Sequence, residues 1–312
     1  MGLWLSAAIF IIFVRDGIEC LISTGGFAIP DAFHLLRVQI FFLSLLLFLI
    51  VILHFFAETE ILKVSKIALI LFSIIILPVL VDLGAILFSK TEITYGYITD
   101  WIGLKLLRFF DPTYKIPELP LSIRSEISLV TILSFGYILL KRKKAHLAIL
   151  GALSTFLLCF LYAAAPAVLI EIFKFVAVLI NILHLKNFPL PEAIIDENIV
   201  VLLELFLASF LALIWLWRYD RGKCRAVIKN MRLTRSFHYV LLCFLGALVS
   251  CASAPIKDFF ALIRVAGAFS AIFFAFQFSV VINDFLIWTA AGSPTRAGHR
   301  QHRAFLNTST SR

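Results

Sequence analysis

Residues 38–57 run for twenty positions without a formal charge. Nothing else in the chain limits its fold as tightly. A helix crossing a hydrocarbon core of about 30 Å needs roughly 20 apolar residues. Lipid offers the backbone no hydrogen-bond partners, so only a helix or a closed barrel can carry such a run across. Comparable runs recur at 67–88, interrupted by Pro78 and Asp82; at 121–140, with Arg124 and Glu126 near its start; at 145–165; at 199–217, with Glu204 inside it; at 237–254; and at 259–283, with Arg264 near its start. Residues 3–14 are too short alone and can span only by running on past Arg15. The pattern predicts an all-α, polytopic membrane helical bundle of about seven to eight transmembrane helices.

Composition excludes the other classes. Of 312 residues 62% are hydrophobic and 15% charged, where a soluble domain has about 45–50% and about 25%. Disorder needs low hydrophobicity and high charge. The formal charge is +9, a balance that in a soluble protein can mean nucleic acid. Here the cations sit in short loops between apolar runs, so the expected partner is membrane lipid and not nucleic acid. The cysteines number five, and no two form a C-x-x-C pair, so neither a disulfide framework nor a zinc site is suggested. The opening MGLWLS loosely fits a myristoylation pattern, but the next residues are continuously apolar. No Lys or Arg precedes 3–14 and no small-residue cleavage site follows it, so no cleaved signal peptide is expected.

Loop charge predicts orientation. Lys141, Arg142, Lys143 and Lys144 form a compact basic loop, and 218–235 carries Lys or Arg at 218, 221, 223, 225, 229, 232 and 235 against the single acid Asp220. The positive-inside rule places both loops, and the tail, in the cytoplasm, most simply of a cell's cytoplasmic membrane. An even number of crossings must then separate them. The run 145–165 going out and 199–217 returning meets this, which leaves 167–185 as an outer-surface or re-entrant segment. Within it Glu171 and Lys174 are three apart and are expected to pair. Residues 89–122 also fall outside, with 101–110, carrying Lys105 and Arg108, as an interfacial helix. The domains read as 1–217, a helical bundle; 218–235, a basic loop; 236–288, the first two helices of a second module; and 289–312, a basic, disordered tail. The tail has four Arg and no acid. The change of character after about residue 285 is expected to mark a frameshift or premature end.

Ionisable groups at membrane depth are expensive and point to function. Asp82 follows Pro78 by one turn, where a proline frees a carbonyl; the pair could bind a cation or proton, or Asp82 could be a water-exposed carboxylate near the outer end of its span. Glu204 lies inside its span. Asn283 and Asp284 end a Phe-rich run at the cytoplasmic side, where a carboxylate can hold Mg²⁺ together with substrate phosphates. No Ser/His/Asp set, phosphate-binding glycine loop or H-E-x-x-H is present. His34, His54, His146, His184 and His238 are scattered and read as interfacial or packed.

The stretch 231–284 resembles the opening of UbiA-type intramembrane prenyltransferases. MRLTRSFHY at 231–239 is similar to the Arg-bearing segment ahead of their first helix, FLGAL at 244–248 to its small-residue turn, and FQFS at 276–279 leading to Asn283-Asp284 to the approach to their N-D-x-x-D-x-x-x-D signature. The resemblance implies an all-helical fold and Mg²⁺-dependent transfer of a polyprenyl group from its diphosphate, with Asp284 as metal ligand, Asn283 supporting metal or diphosphate, and Arg296 on phosphate. Two departures weigh against catalysis: Ile287 and Ala291 stand where the next two acids belong, and the P-x-R at 294–296 arrives two residues early. Two other readings compete: a transporter or channel with Asp82 and Glu204 lining a polar path, and a scaffold whose segments 89–122 and 166–198 bind a partner.

Overall fold

The computed structural model describes residues 2–24, 32–89, 98, 102–111, 113, 114, 116, 119–182 and 197–230, and the single helical positions 238, 241, 242, 245, 269, 273 and 277. Among these residues all regular structure is helical: α1 (Gly2–Thr24), α2 (Ala32–Ala57), α3 (Ile61–Phe72), α4 (Ile76–Ser89), α5 (Ile102–Leu107), α6 (Leu121–Arg142), α7 (Ala145–Ala163), α8 (Ala165–Ile182), α9 (Glu197–Tyr219) and α10 (Arg221–Asn230). Among the described residues, four helical stretches are long and apolar enough to cross a membrane: His34–Ala57, Ile61–Phe88, Leu121–Arg142 and Ala145–Ala163. They fit a membrane-embedded protein. The runs at 237–254 and 259–283 lie almost wholly outside the described residues. The chain divides into two compact units, Met1–Cys224 and Arg225–Arg312.

Local chemistry explains where the helices depart from simple counting of apolar residues. Helix α1 continues past Arg15 because that side chain pairs with Glu19 one turn on, and its guanidinium lies 4.4 Å from the centroid of the Phe42 ring. The second span begins at Ile61 and not at 67. Lys63 and Lys66 point outward while Val64, Ser65 and Ala68 are buried, so the cations sit on the solvated side of an otherwise apolar helix. A 3-10 segment, Ser73–Ile75, separates α3 from α4. Its position follows from Pro78, which lacks the N–H that would bond Ile74 and crowds that carbonyl.

The basic loop 141–144 is a tight helical hairpin. Lys143 takes φ 53° and its N–H bonds the Leu139 carbonyl at 2.8 Å, the left-handed cap that more often falls to glycine. Only the two residues Lys143 and Lys144 separate α6 from α7. The two helices then pack closely: a Cβ on Gly151 would stand 2.3 Å from Ile138 Cδ1 and 3.2 Å from Phe56 Cγ. Helix α2 is the hub, touching α1, α3, α6, α7 and α9, and its buried Leu46, Ile50 and Leu53 join Ile12, Val64, Ile138 and Trp215 in the main core.

Side-chain contacts establish which helix ends lie together. At one end Trp4 donates to the Ser65 carbonyl at 2.9 Å, Trp215 donates to Ser65 Oγ at 2.8 Å, and Arg142 pairs with Glu58, Nη2 to Oε1 at 2.8 Å. At the other, His34 Nε2 is 3.2 Å from Asp16 Oδ1, Ser122 meets Asp82, and the Ile98 N–H bonds the Ala163 carbonyl at 3.0 Å. Helices α1, α2, α3–α4, α6, α7 and α9 therefore alternate in direction. The loops 58–60 and 141–144 and the C-terminal end of α9 share one end of the bundle.

Candidate functional site

Asp82 sits on α4, one turn after Pro78, and is 5% exposed. Ser122, at the start of α6, donates its hydroxyl to Asp82 Oδ2 at 2.6 Å. The carboxylate is therefore buried between two helices, not water-exposed at the end of its span. Serine and aspartate lie forty residues apart in sequence, so no local pattern could have paired them.

Glu204 sits on α9 and is 6% exposed. Neither carboxylate oxygen has a hydrogen-bond partner. It lines a cavity of about 570 Å³ whose other walls include Phe48, Phe55, Leu161, Tyr162 and Leu207, from α2, α7 and α9. Two of the lining hydroxyls are already committed: Tyr162 donates to Ser44 Oγ at 3.0 Å and Ser154 to the Leu150 carbonyl at 2.8 Å. Arg37 attracts Glu204 electrostatically without bonding it. Asp82 lines neither this cavity nor a second one of about 500 Å³ bounded by Pro78, Phe109, Phe110, Arg124 and Glu126. Neither of these two cavities holds both Asp82 and Glu204, as a shared polar path would require.

Three features escaped the sequence reading. Arg124, in the first turn of α6, is 5% exposed. It donates to the carbonyls of Phe109 (Nε, 2.7 Å), Asp111 (2.7 Å), Tyr114 (3.0 Å) and Arg108 (3.2 Å). One guanidinium, with five donors in a fixed fork, thereby holds the chain between α5 and α6. Asp16, Cys20 and His34 form a second cluster whose potential ligand atoms lie within 4.8 Å of one another. Asp16 and Cys20 share a face of α1 at i, i+4, a signal the sequence did carry. The third is the cavity itself, a product of tertiary packing alone.

The outer segments are partly as expected. Glu171 and Lys174 pair at 2.9 Å. Arg108 pairs with Asp111 at 3.2 Å, and Thr113 bonds the Asp111 carboxylate through its N–H (3.0 Å) and hydroxyl (2.6 Å). Those bonds, the hydroxyl's first, hold the Asp111 carboxyl below the usual carboxylate range. The expected interfacial helix is shorter, Ile102–Leu107, and Lys105 is buried, 6% exposed, where an interfacial helix would snorkel it to water. Asn283, Asp284 and Arg296 lie outside the described residues. No protein-family model, curated protein or solved structure matches the chain.

Proposed function

We propose that this chain is a multi-pass membrane protein related to the UbiA-type prenyltransferases, with a separate N-terminal helical bundle. The observation that carries the reading is the stretch 231–284, with its Arg-bearing segment, small-residue helix and terminal Asn283-Asp284. Its ligand class is a polyprenyl diphosphate. Mg²⁺, when bound, would neutralise the leaving diphosphate. Asp284 is the carboxylate that could hold it, with Asn283 and Arg296 toward the phosphates. With Ile287 and Ala291 at the next acid positions the donor set is a single carboxylate, the minimum for a magnesium site, so no transfer step is assigned to this chain.

The alternating bundle supports the topology this reading needs. Lys141, Arg142, Lys143, Lys144 and Arg218 gather at the bundle end that holds Trp4, Glu58 and Trp215. Positive-inside placement of that end puts 218–235 in the cytoplasm, and two further crossings return residue 284 to the same side. Helix α9 begins near the end of α7, since Val200 and Tyr162 wall one cavity, consistent with no net crossing by α8. The transporter reading is weakened by the separate settings of Asp82 and Glu204.

The test is sidedness first and chemistry second. Single cysteines at 143, 223 and 284, in a background without native cysteines, are expected to react with an impermeant maleimide only from the cytoplasmic face. Labelling of position 284 from the opposite face would refute the prenyl-diphosphate reading. The purified chain with Mg²⁺ and geranylgeranyl diphosphate is expected to release no diphosphate above background, and Asp284→Ala is expected to change nothing. Robust transfer would overturn the role given to Ile287 and Ala291.

A further inference from the structure

The cavity among α2, α7, α8 and α9 is independent of the prenyltransferase reading and has a chemistry of its own. Its wall is apolar, with three phenylalanines, Phe48, Phe55 and Phe56, along α2. Its one acid, Glu204, is buried with both oxygens unpartnered, while the hydroxyls of Tyr162 and Ser154 are spent on Ser44 and Leu150. A buried carboxyl in this state is costly unless something donates to it.

We propose that this cavity binds a lipophilic molecule bearing one protonated amine, its nitrogen on Glu204 and its apolar body along the phenylalanines. The alternatives fail on the same observations. A hydrocarbon chain would fill the space and leave both oxygens without donors. An anion would bring acceptors and no donor to the two Glu204 oxygens. A hard metal cation needs several oxygen ligands, and a lining whose only other side-chain oxygens are the Tyr162 and Ser154 hydroxyls does not provide them. A small hydrophilic amine would match the carboxylate but not the wall. An ammonium suits both parts of the site, because it can donate to either carboxylate oxygen and is also attracted to aromatic faces.

The experiment uses the full chain in detergent and the hydrophobic reagent dicyclohexylcarbodiimide. A carboxyl O–H adds across one C=N bond of the reagent to give an O-acylisourea, which rearranges to a stable N-acylurea with no atom lost. Peptide mass spectrometry is expected to find the adduct on Glu204 and to lose it in Glu204→Gln. N,N-dimethyldodecylamine, whose tertiary nitrogen carries the proton but cannot form an amide with the activated carboxyl, is expected to protect Glu204 at least tenfold better than dodecanol of equal chain length. Equal protection by the alcohol would reduce the site to an apolar cleft and overturn the proposal, as would no protection by either or no adduct on Glu204. Because the competition is read on the unaltered protein, it does not depend on the variant folding.

Discussion

Replacing Arg124 with methionine tests the account of the α5–α6 connection most severely. The position lies in the first turn of α6, where a cation opposes the helix dipole by about 0.3–1 kcal/mol. The arginine is therefore not there for the helix. It donates to the carbonyls of Phe109, Asp111, Tyr114 and Arg108 while Phe109, 1% exposed, packs with Phe156 and Phe160 at ring distances of 5.0 and 5.9 Å. A hydrogen bond from a charged donor contributes about 1.5–3 kcal/mol. The carbonyls of Asp111 and Arg108, on a partly exposed turn, can rehydrate, whereas the Phe109 carbonyl would be left buried. The net cost is then about 1–3 kcal/mol, the penalty for a buried acceptor left without its donor. Residues 108–119 would open locally before the bundle unfolds, and about 1–3 kcal/mol corresponds to roughly one to two powers of ten in the opening equilibrium. Amide hydrogen exchange by mass spectrometry should show that acceleration at 108–119 with 145–163 unchanged. Arg124→Lys, which keeps the charge but not the fork, should fall between. Exchange at 108–119 within about threefold of the parent protein would refute the clamp.

Three further outcomes are expected. Gly151→Leu should lower the melting temperature, because even a Cβ there falls 2.3 Å from Ile138 Cδ1 and overpacking costs about 1–3 kcal/mol; Gly151→Ala, which gains up to about 1 kcal/mol of helix propensity, should lower it less. Ser65→Ala should strand the Trp215 indole N–H, now 2.8 Å from Ser65 Oγ, cost about 1–3 kcal/mol and shift tryptophan emission, while Ser209→Ala, whose hydroxyl only bonds its own helix at Leu205, should do neither. Asp220 accepts the Lys223 N–H at 3.0 Å ahead of α10, and that bond, before the charge of Lys223, holds its carboxyl below the ordinary value. Its support for the first turn of α10 should be complete above the ordinary carboxylate range and be lost as pH falls through the lowered value; faster exchange at 221–224 only below that point checks the sign, and Asp220→Ala should exchange fast at every pH.

How legible these features were depends on how far apart in sequence the interacting groups lie. The runs 38–57, 121–140 and 145–165 sit inside α2, α6 and α7 nearly unchanged, because burial of a whole helix surface in lipid or protein is a property of consecutive residues. The Glu171–Lys174 pair was readable for the same reason, one turn of separation. Counting failed where a charge is answered from elsewhere. Lys63 and Lys66 hid the first two turns of the second span, and Arg15 hid the second half of α1, though its partner Glu19 is only one turn away. Arg124 was visible as a residue but not as a clamp, since its acceptors are main-chain carbonyls ten to sixteen positions back, and any residue type can supply those. Asp82 needed Ser122, forty positions on, and Ser65 needed Trp215.

Asp82 and Glu204 show why an acid inside a span does not by itself define a site. Both are within apolar helices and both are buried to a similar degree, 5% and 6% exposed. Asp82 received a hydroxyl from the neighbouring helix, so its burial joins α4 to α6 and leaves an oxygen satisfied. Glu204 received nothing from the side chains around it, and the two hydroxyls of the same cavity, on Tyr162 and Ser154, are bonded elsewhere. A serine or glutamine facing position 204 would end the deficit, as Ser122 does for Asp82. None of the residues described around that cavity plays this part, and the space beside the carboxyl is open. An unsatisfied group next to a pocket of matching apolar volume is the arrangement expected of a site completed by its ligand. By that reasoning Glu204→Gln, which offers its own donor but no charge, should fold as well as the parent and, in equilibrium dialysis, bind N,N-dimethyldodecylamine no better than dodecanol. A retained preference for the amine would mean that the carboxylate is not what selects the ligand.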